Sequence, residues 1–72
     1  MESSQTSRAI RAAIDALPPR TRLAFVLQQD HGMTNAQIGT AMDVSLKGVE
    51  KLLSTARAKL REQLRDEAAD LR

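Results

Sequence analysis

The fold is decided by residues 34–60, which read TNAQIGTAMDVSLKGVEKLLSTARAKL. Thr34 is followed three residues later by Gln37, a spacing typical of a capping box, in which each side chain satisfies a backbone N–H group at a helix start. Asp43 and Val44 then interrupt the apolar pattern, and Ser45 is a favourable N-cap residue for a new helix. The stretch therefore predicts a short helix, a tight turn and a longer helix.

The longer helix carries one apolar stripe, because Val49, Leu53, Ala56 and Leu60 recur at steps of four, three and four. In the short helix, Gly39 is small enough to let a second helix cross closely. This spacing is typical of a helix-turn-helix, whose second helix enters the major groove of DNA. A helical hairpin that only packs has the same spacing, so the stretch alone leaves both interpretations open.

The composition narrows the class of protein. A chain of 72 residues forms one domain at most, and 42% apolar residues with Phe25 as the single aromatic favour an aliphatic helical core. There is no cysteine, and no apolar run approaches the roughly 18 residues of a membrane span. With His31 as its one histidine and no Gly-rich phosphate loop, we expect no enzyme, cofactor or metal. Because the chain lacks both cysteine and an apolar run of membrane length, we expect a cytoplasmic protein without a membrane partner.

The charge is modest for a protein that binds DNA unaided. The formal net charge is +2, and within residues 34–56 Lys47 and Lys51 are balanced by Asp43 and Glu50. Phosphate neutralisation supplies much of the affinity for DNA. We therefore expect any DNA binding to be weak or assisted by a partner.

Two further helices precede the decisive stretch. Apolar residues from Ile10 to Leu17 predict a first helix from Arg8, and Pro18 and Pro19 end it while permitting a second helix to about residue 30. The nearly continuous apolar run at 23–27 predicts that this second helix is central. We expect a flexible linker over 1–7, a domain over 8–66 and a fraying helical tail over 67–72. The predicted fold is an all-α, compact four-helix domain with a C-terminal helix-turn-helix and no wing.

Six short motifs follow one another along residues 17–57. They are Leu17-Pro18 with Arg20 and Arg22, Phe25-Val26-Leu27, Gly32-Met33-Thr34, Gln37-Ile38-Gly39, Val44-Ser45 and Ala56-Arg57. Over residues 14–64 the chain thereby resembles region 4, the promoter-recognition domain of bacterial sigma factors of the sigma-70 family, in particular those of the extracytoplasmic-function (ECF) group.

The resemblance implies both a function and a set of contact residues. In that family the second helix of the motif reads the minus-35 promoter element, and the concave face holds the flap tip of the RNA polymerase beta subunit. The chain would thus direct transcription initiation as part of a longer sigma factor. By position, the residues implied to face DNA are Gln28, Asn35, Ser45, Lys47, Gly48, Glu50, Lys51, Ser54 and Thr55.

The chain departs from the family pattern at several of these positions. Lys47-Gly48 stands where a Gly-Thr pair is frequent, and Glu50 and Leu52 stand where basic residues are frequent. Asp43 occupies the turn position that is usually glycine. Glu50 could accept a hydrogen bond from a cytosine amino group or repel phosphate, and Leu52 could meet a thymine methyl group, a protein partner or water.

Two alternatives remain open from the sequence. The weak charge and the expected exposure of Leu46 and Leu52 fit a sigma-like interaction module bound by an anti-sigma factor. The turn and the valine after it also occur in the helix-turn-helix domain of two-component response regulators. The LPPR opening and the ARAKLRE ending favour the sigma interpretation.

Overall fold

A computed structural model describes the backbone of residues 2–70 and the side chains of residues 8–65. The described chain folds into four helices without a strand, which confirms the predicted all-α fold. The helices are α1 (Glu2–Asp15), α2 (Pro19–Gln29), α3 (Asn35–Met42) and α4 (Leu46–Asp70). Helices α3 and α4 with the short turn between them form the predicted helix-turn-helix.

The first helix is longer than predicted. It begins at Glu2 rather than Arg8 and thus includes residues 2–7, where we expected a flexible linker. This segment is polar but contains neither Gly nor Pro, so nothing in it stops a helix. At the other end α4 continues to Asp70, while residues 71–72 of the expected tail lie outside the described residues. The division into linker, domain and tail stays a prediction.

The prolines separate α1 from α2 as expected. Pro18 is extended (φ −56°, ψ 148°) and precedes the first turn of α2, while the preceding Leu17 is buried in the core. At the other end of α2, Gly32 takes the left-handed conformation (φ 61°), and the Met33 N–H donates to the Leu27 carbonyl over 3.2 Å. This closure turns the chain towards α3.

Helix α4 is the centre of the domain, because α1, α2 and α3 all pack against it. Its predicted stripe is confirmed, since all four residues are buried. One core cluster joins α4 to α2 and α3 through Ala24, Ile38, Val49 and Leu53. A second cluster joins it to α1 through Ala13, Leu17, Ala56 and Leu60. Phe25 packs against both clusters and links them.

The prediction that α2 is the central helix is wrong. Its apolar run is not fully covered, since Leu23 is 48% exposed, whereas α4 is long enough to reach every other helix. The end of α4 covers part of α1, since Ile14 packs on the cluster that contains Leu60. Ile10 stays 40% exposed at the surface.

Candidate nucleic-acid interface

The start of α3 is fixed by the capping box that the sequence predicts. The Gln37 N–H donates to Thr34 Oγ1 over 3.1 Å, and the Thr34 N–H donates to Gln37 Oε1 over 2.9 Å. Two backbone donors at the helix start are thereby satisfied. The first helix of the motif therefore has a defined start.

The turn between α3 and α4 depends on two backbone features. Asp43 takes the left-handed conformation (φ 59°, ψ 47°), as its place in the turn predicts. Gly39 is buried, and a Cβ added there would lie 2.8 Å from the Val44 carbonyl oxygen and 3.5 Å from Val49 Cγ2. The Val44 N–H donates to the Gly39 carbonyl over 2.9 Å. The close approach predicted at Gly39 is confirmed, and its tightest contact is the backbone of the turn.

Ser45 caps α4, as predicted. Its Oγ accepts a hydrogen bond from the Gly48 N–H over 3.0 Å, and its carbonyl accepts from the Val49 N–H over 3.0 Å. The N–H groups of Leu46 and Lys47 belong to the first turn, where helix geometry supplies no carbonyl partner. They are available to an anion at this helix end.

None of the residues implied to face DNA is buried. Ser45, Lys47, Glu50, Lys51 and Ser54 are exposed, all of them at or after the start of α4. Lys47, Lys51 and Ser54 are separated by four and three residues and therefore lie on one face of the helix.

That face points away from the core. On an ideal helix Lys51 lies about 160° around the axis from Leu53, which is 1% exposed in the core. Gly48 and Thr55 are half-buried at the edges of the face. The structure thus brings the start and the next two turns of α4 into one surface, while their role in DNA binding stays a prediction.

Gln28 and Asn35, the two implied contact residues outside α4 and its cap, form a hydrogen-bonded pair. Gln28 Nε2 donates to Asn35 Oδ1 over 3.3 Å, which ties the end of α2 to the first residue of α3. Both side chains are half-buried. With its oxygen engaged, the Asn35 amide keeps its N–H groups to donate.

The expectation that Leu52 is exposed is wrong. Leu52 is half-buried and packs against the cluster that contains Ile38 and Val49, because on the helix it lies about 60° from Val49 and about 40° from Ala56, at the edge of the buried stripe. Leu46 is 53% exposed, as expected.

Sequence reasoning missed a groove between α1 and α2. The groove has a volume of about 440 Å³ and an apolar floor formed by Ile10, Ile14, Phe25 and Val26. The other residues that line the groove are charged or polar: Arg11, Asp15, Arg22, Gln29 and Asp30. The family motif at 25–27 includes part of the floor, but the groove forms only because α1 and α2 both pack on α4 and lie side by side there.

Neither a metal-binding cluster nor a membrane-spanning helix is present among the described residues. Within them, no group of three His, Asp or Glu residues is placed to hold a metal ion. In the same part of the chain, no helix has both the length and the apolar character needed to cross a membrane.

The helices and the surface of α4 define a helix-turn-helix domain without a wing. The family model for sigma-70, region 4 matches residues 7–60, and the chain belongs to this family. Region 4 is the part of sigma factors that recognises the minus-35 element. The resemblance seen in the sequence is therefore confirmed at the level of sigma region 4.

The curated relatives are sigma factors. The chain is 33% identical over 64 residues to RNA polymerase sigma factor SigF of Mycobacterium tuberculosis, in strain CDC 1551 / Oshkosh and in strain ATCC 25618 / H37Rv. The match covers 89% of this chain and 24% of each relative, so the chain spans about a quarter of their length. No solved structure matches the chain.

Proposed function

We propose that this chain is the minus-35-reading domain of an ECF sigma factor, and that it helps to direct transcription initiation in the cytoplasm without catalysing a reaction. The observation that carries the proposal is the exposed face of Lys47, Lys51 and Ser54, which follows the capped start of α4 and points away from the core. The second helix of a helix-turn-helix presents such a face to the major groove.

The start of α4 binds phosphate in this proposal. Ser45 uses its oxygen to accept from the Gly48 N–H, which leaves the N–H groups of Leu46 and Lys47 free to donate. The positive end of the helix dipole and the Lys47 ammonium group both attract the negatively charged phosphate to this helix end. Asn35 donates its amide N–H to the neighbouring backbone phosphate, held in place by Gln28.

The next turns of α4 read base edges. Lys51 reaches guanine acceptors, Ser54 either donates or accepts, and Glu50 accepts from a cytosine amino group. Thr55 is half-buried and contributes at the edge of the contact. Because these contacts are few and residues 34–56 are neutral, the isolated domain binds weakly and depends on the polymerase for placement.

The groove between α1 and α2 binds the polymerase beta flap in this proposal. Its apolar floor, with Ile10 40% exposed, provides the apolar contact, and the charged side chains that also line the groove fix the orientation. Helices α1 and α2 pack on the buried side of α4, opposite Lys51. DNA and polymerase therefore bind to different faces and do not compete.

Fluorescence anisotropy at low salt tests the proposal, using duplexes with candidate minus-35 sequences and scrambled duplexes of equal length. Replacing Lys47 and Lys51 together by Ala should abolish the sequence preference. It should also make the slope of log K against log salt concentration shallower, by at most the amount expected for roughly two phosphate contacts. Replacing Arg8 and Arg11 by Ala removes the same charge from α1 and should leave the preference unchanged. Absence of a preference in the wild type, together with absence of polymerase binding, would contradict the proposal.

A second candidate function is favoured by Leu46, which is 53% exposed at the start of α4. An apolar side chain there suits a sigma-like module bound by an anti-sigma factor. In that case the Lys47 and Lys51 double variant keeps full partner binding, whereas Leu46→Ala weakens it. The response-regulator alternative is less well supported, because the family match is to sigma region 4.

A further inference from the structure

The exposed face of α4 continues beyond the segment that reads DNA. Residues at steps of four, three, four, three and four share one side of the helix and are all exposed. We call them the outer stripe: Lys47, Lys51, Ser54, Ala58, Arg61 and Arg65. The second half of this stripe has no role in the function proposed above.

The outer stripe is basic at both ends and carries no negative charge. Four of its six residues are cations, and none is an anion. The nearest carboxylates are on its flanks: Glu50 is about 60° around the helix from Lys47, and Glu62 is about 60° from Arg65. The balanced charge of residues 34–56 therefore does not describe the surface presented by the outer side of α4.

We propose that Arg61 and Arg65 bind backbone phosphates flanking the minus-35 element, an inference that rests on the proposed function. Arg61 follows Lys51 by ten residues, about 15 Å along the helix. The major groove is about 12 Å wide, so a helix with Lys51 inside it carries Arg61 to the groove edge, where phosphates lie. Guanidinium groups suit phosphate because they can donate two parallel hydrogen bonds.

The stripe fits a nucleic acid better than a protein. It contains no apolar side chain larger than Ala58, so it offers a protein partner no apolar core to bury. It also continues directly from the surface proposed to enter DNA. Contacts of this kind add affinity without reading sequence, and they supply the phosphate neutralisation that the neutral segment lacks.

The test compares Arg61→Gln with Lys59→Gln in the full chain. Both residues are exposed, two positions apart on α4 and about 160° apart around it, and each variant loses one positive charge. Anisotropy is measured across a salt series on a duplex that ends at the minus-35 element and on one extended by random flanking base pairs. Circular dichroism verifies that both variants fold.

On the extended duplex, Arg61→Gln should reduce the salt slope by about 0.9 and weaken binding about eightfold at 0.1 M salt, the loss expected for one phosphate. Lys59→Gln should weaken it less than twofold, and adding Arg65→Gln to Arg61→Gln should lower the slope again. On the short duplex Arg61→Gln should match wild type. The preference for the element over scrambled DNA should not change in either variant.

Equal behaviour of Arg61→Gln and Lys59→Gln on extended DNA would overturn the inference while leaving the proposed function intact. A loss confined to polymerase binding would also overturn it, since the stripe would then face a protein. If the wild type binds without sequence preference but Arg61→Gln still weakens binding, the proposed function fails and the phosphate contact stands. If the wild type binds neither duplex, both fail.

Discussion

Of the three glycines, Gly39 is the one at which replacement by alanine should disturb the structure most, because its added Cβ makes the shortest contact. The new Cβ would lie 2.8 Å from the Val44 carbonyl oxygen, where ordinary contacts begin at 3.4 Å. This oxygen belongs to the backbone and cannot rotate away as a side chain does. Any shift of Val44 also strains the 2.9 Å hydrogen bond from its N–H to the Gly39 carbonyl.

The magnitude follows from three terms. Overpacking of this kind costs about 1–3 kcal/mol, and weakening a buried hydrogen bond costs about 1 kcal/mol. Alanine regains about 1 kcal/mol over glycine through its helix propensity. The net loss in the free energy of unfolding is therefore about 2 kcal/mol, which for a domain of 72 residues lowers Tm by roughly 8–16 °C.

Thermal and urea unfolding followed by circular dichroism measure this loss, and anisotropy on a minus-35 duplex measures its effect on binding. Gly32→Ala is the control, because Gly32 has φ +61° but no atom within 4 Å of an added Cβ. It should cost about 1 kcal/mol through backbone strain alone and leave DNA affinity unchanged. A Gly39→Ala variant as stable as the wild type, with equal DNA affinity, would refute the reasoning.

Three further predictions concern the motif. Asp43→Gly should raise the free energy of unfolding by about 0.5–1 kcal/mol in urea titrations, since glycine adopts the left-handed turn without strain. Ser45→Ala should lower it by about 1 kcal/mol, whereas Ser45→Asp should keep the cap yet weaken DNA binding in anisotropy. Leu53→Ala should cost about 2–5 kcal/mol by circular dichroism, while the half-exposed Leu46→Ala should change stability by about 0.5 kcal/mol or less.

Local chemistry made the motif predictable. The Thr34 capping box, the Ser45 cap and the turn at Asp43 each depend on residues within four positions of one another, so their sequence determines them. The buried stripe of α4 was equally visible, because its period matches that of a helix. The exposed face that includes Lys51 follows as the side opposite this stripe.

What the sequence did not predict depends on packing between distant segments. Periodicity shows which face of a helix is apolar, but it does not show which other helices contact that face. The central position of α4 therefore could not be predicted. Leu52 lies at the edge of the buried stripe, and only the arrangement of the other helices decides whether that edge is covered. The groove with Ile10 and Phe25 on its floor exists only once α1 lies beside α2.

Backbone amide resonances of α4 report most directly whether its exposed face enters DNA. In a titration of the ¹⁵N-labelled chain with a minus-35 duplex at low salt, the largest shifts should fall on residues 45–55 and on Asn35. Amides around the α1–α2 groove, such as that of Ile14, should move little. Shifts centred on that groove, with those of Lys51 and Ser54 unchanged at saturation, would contradict the proposed DNA interface.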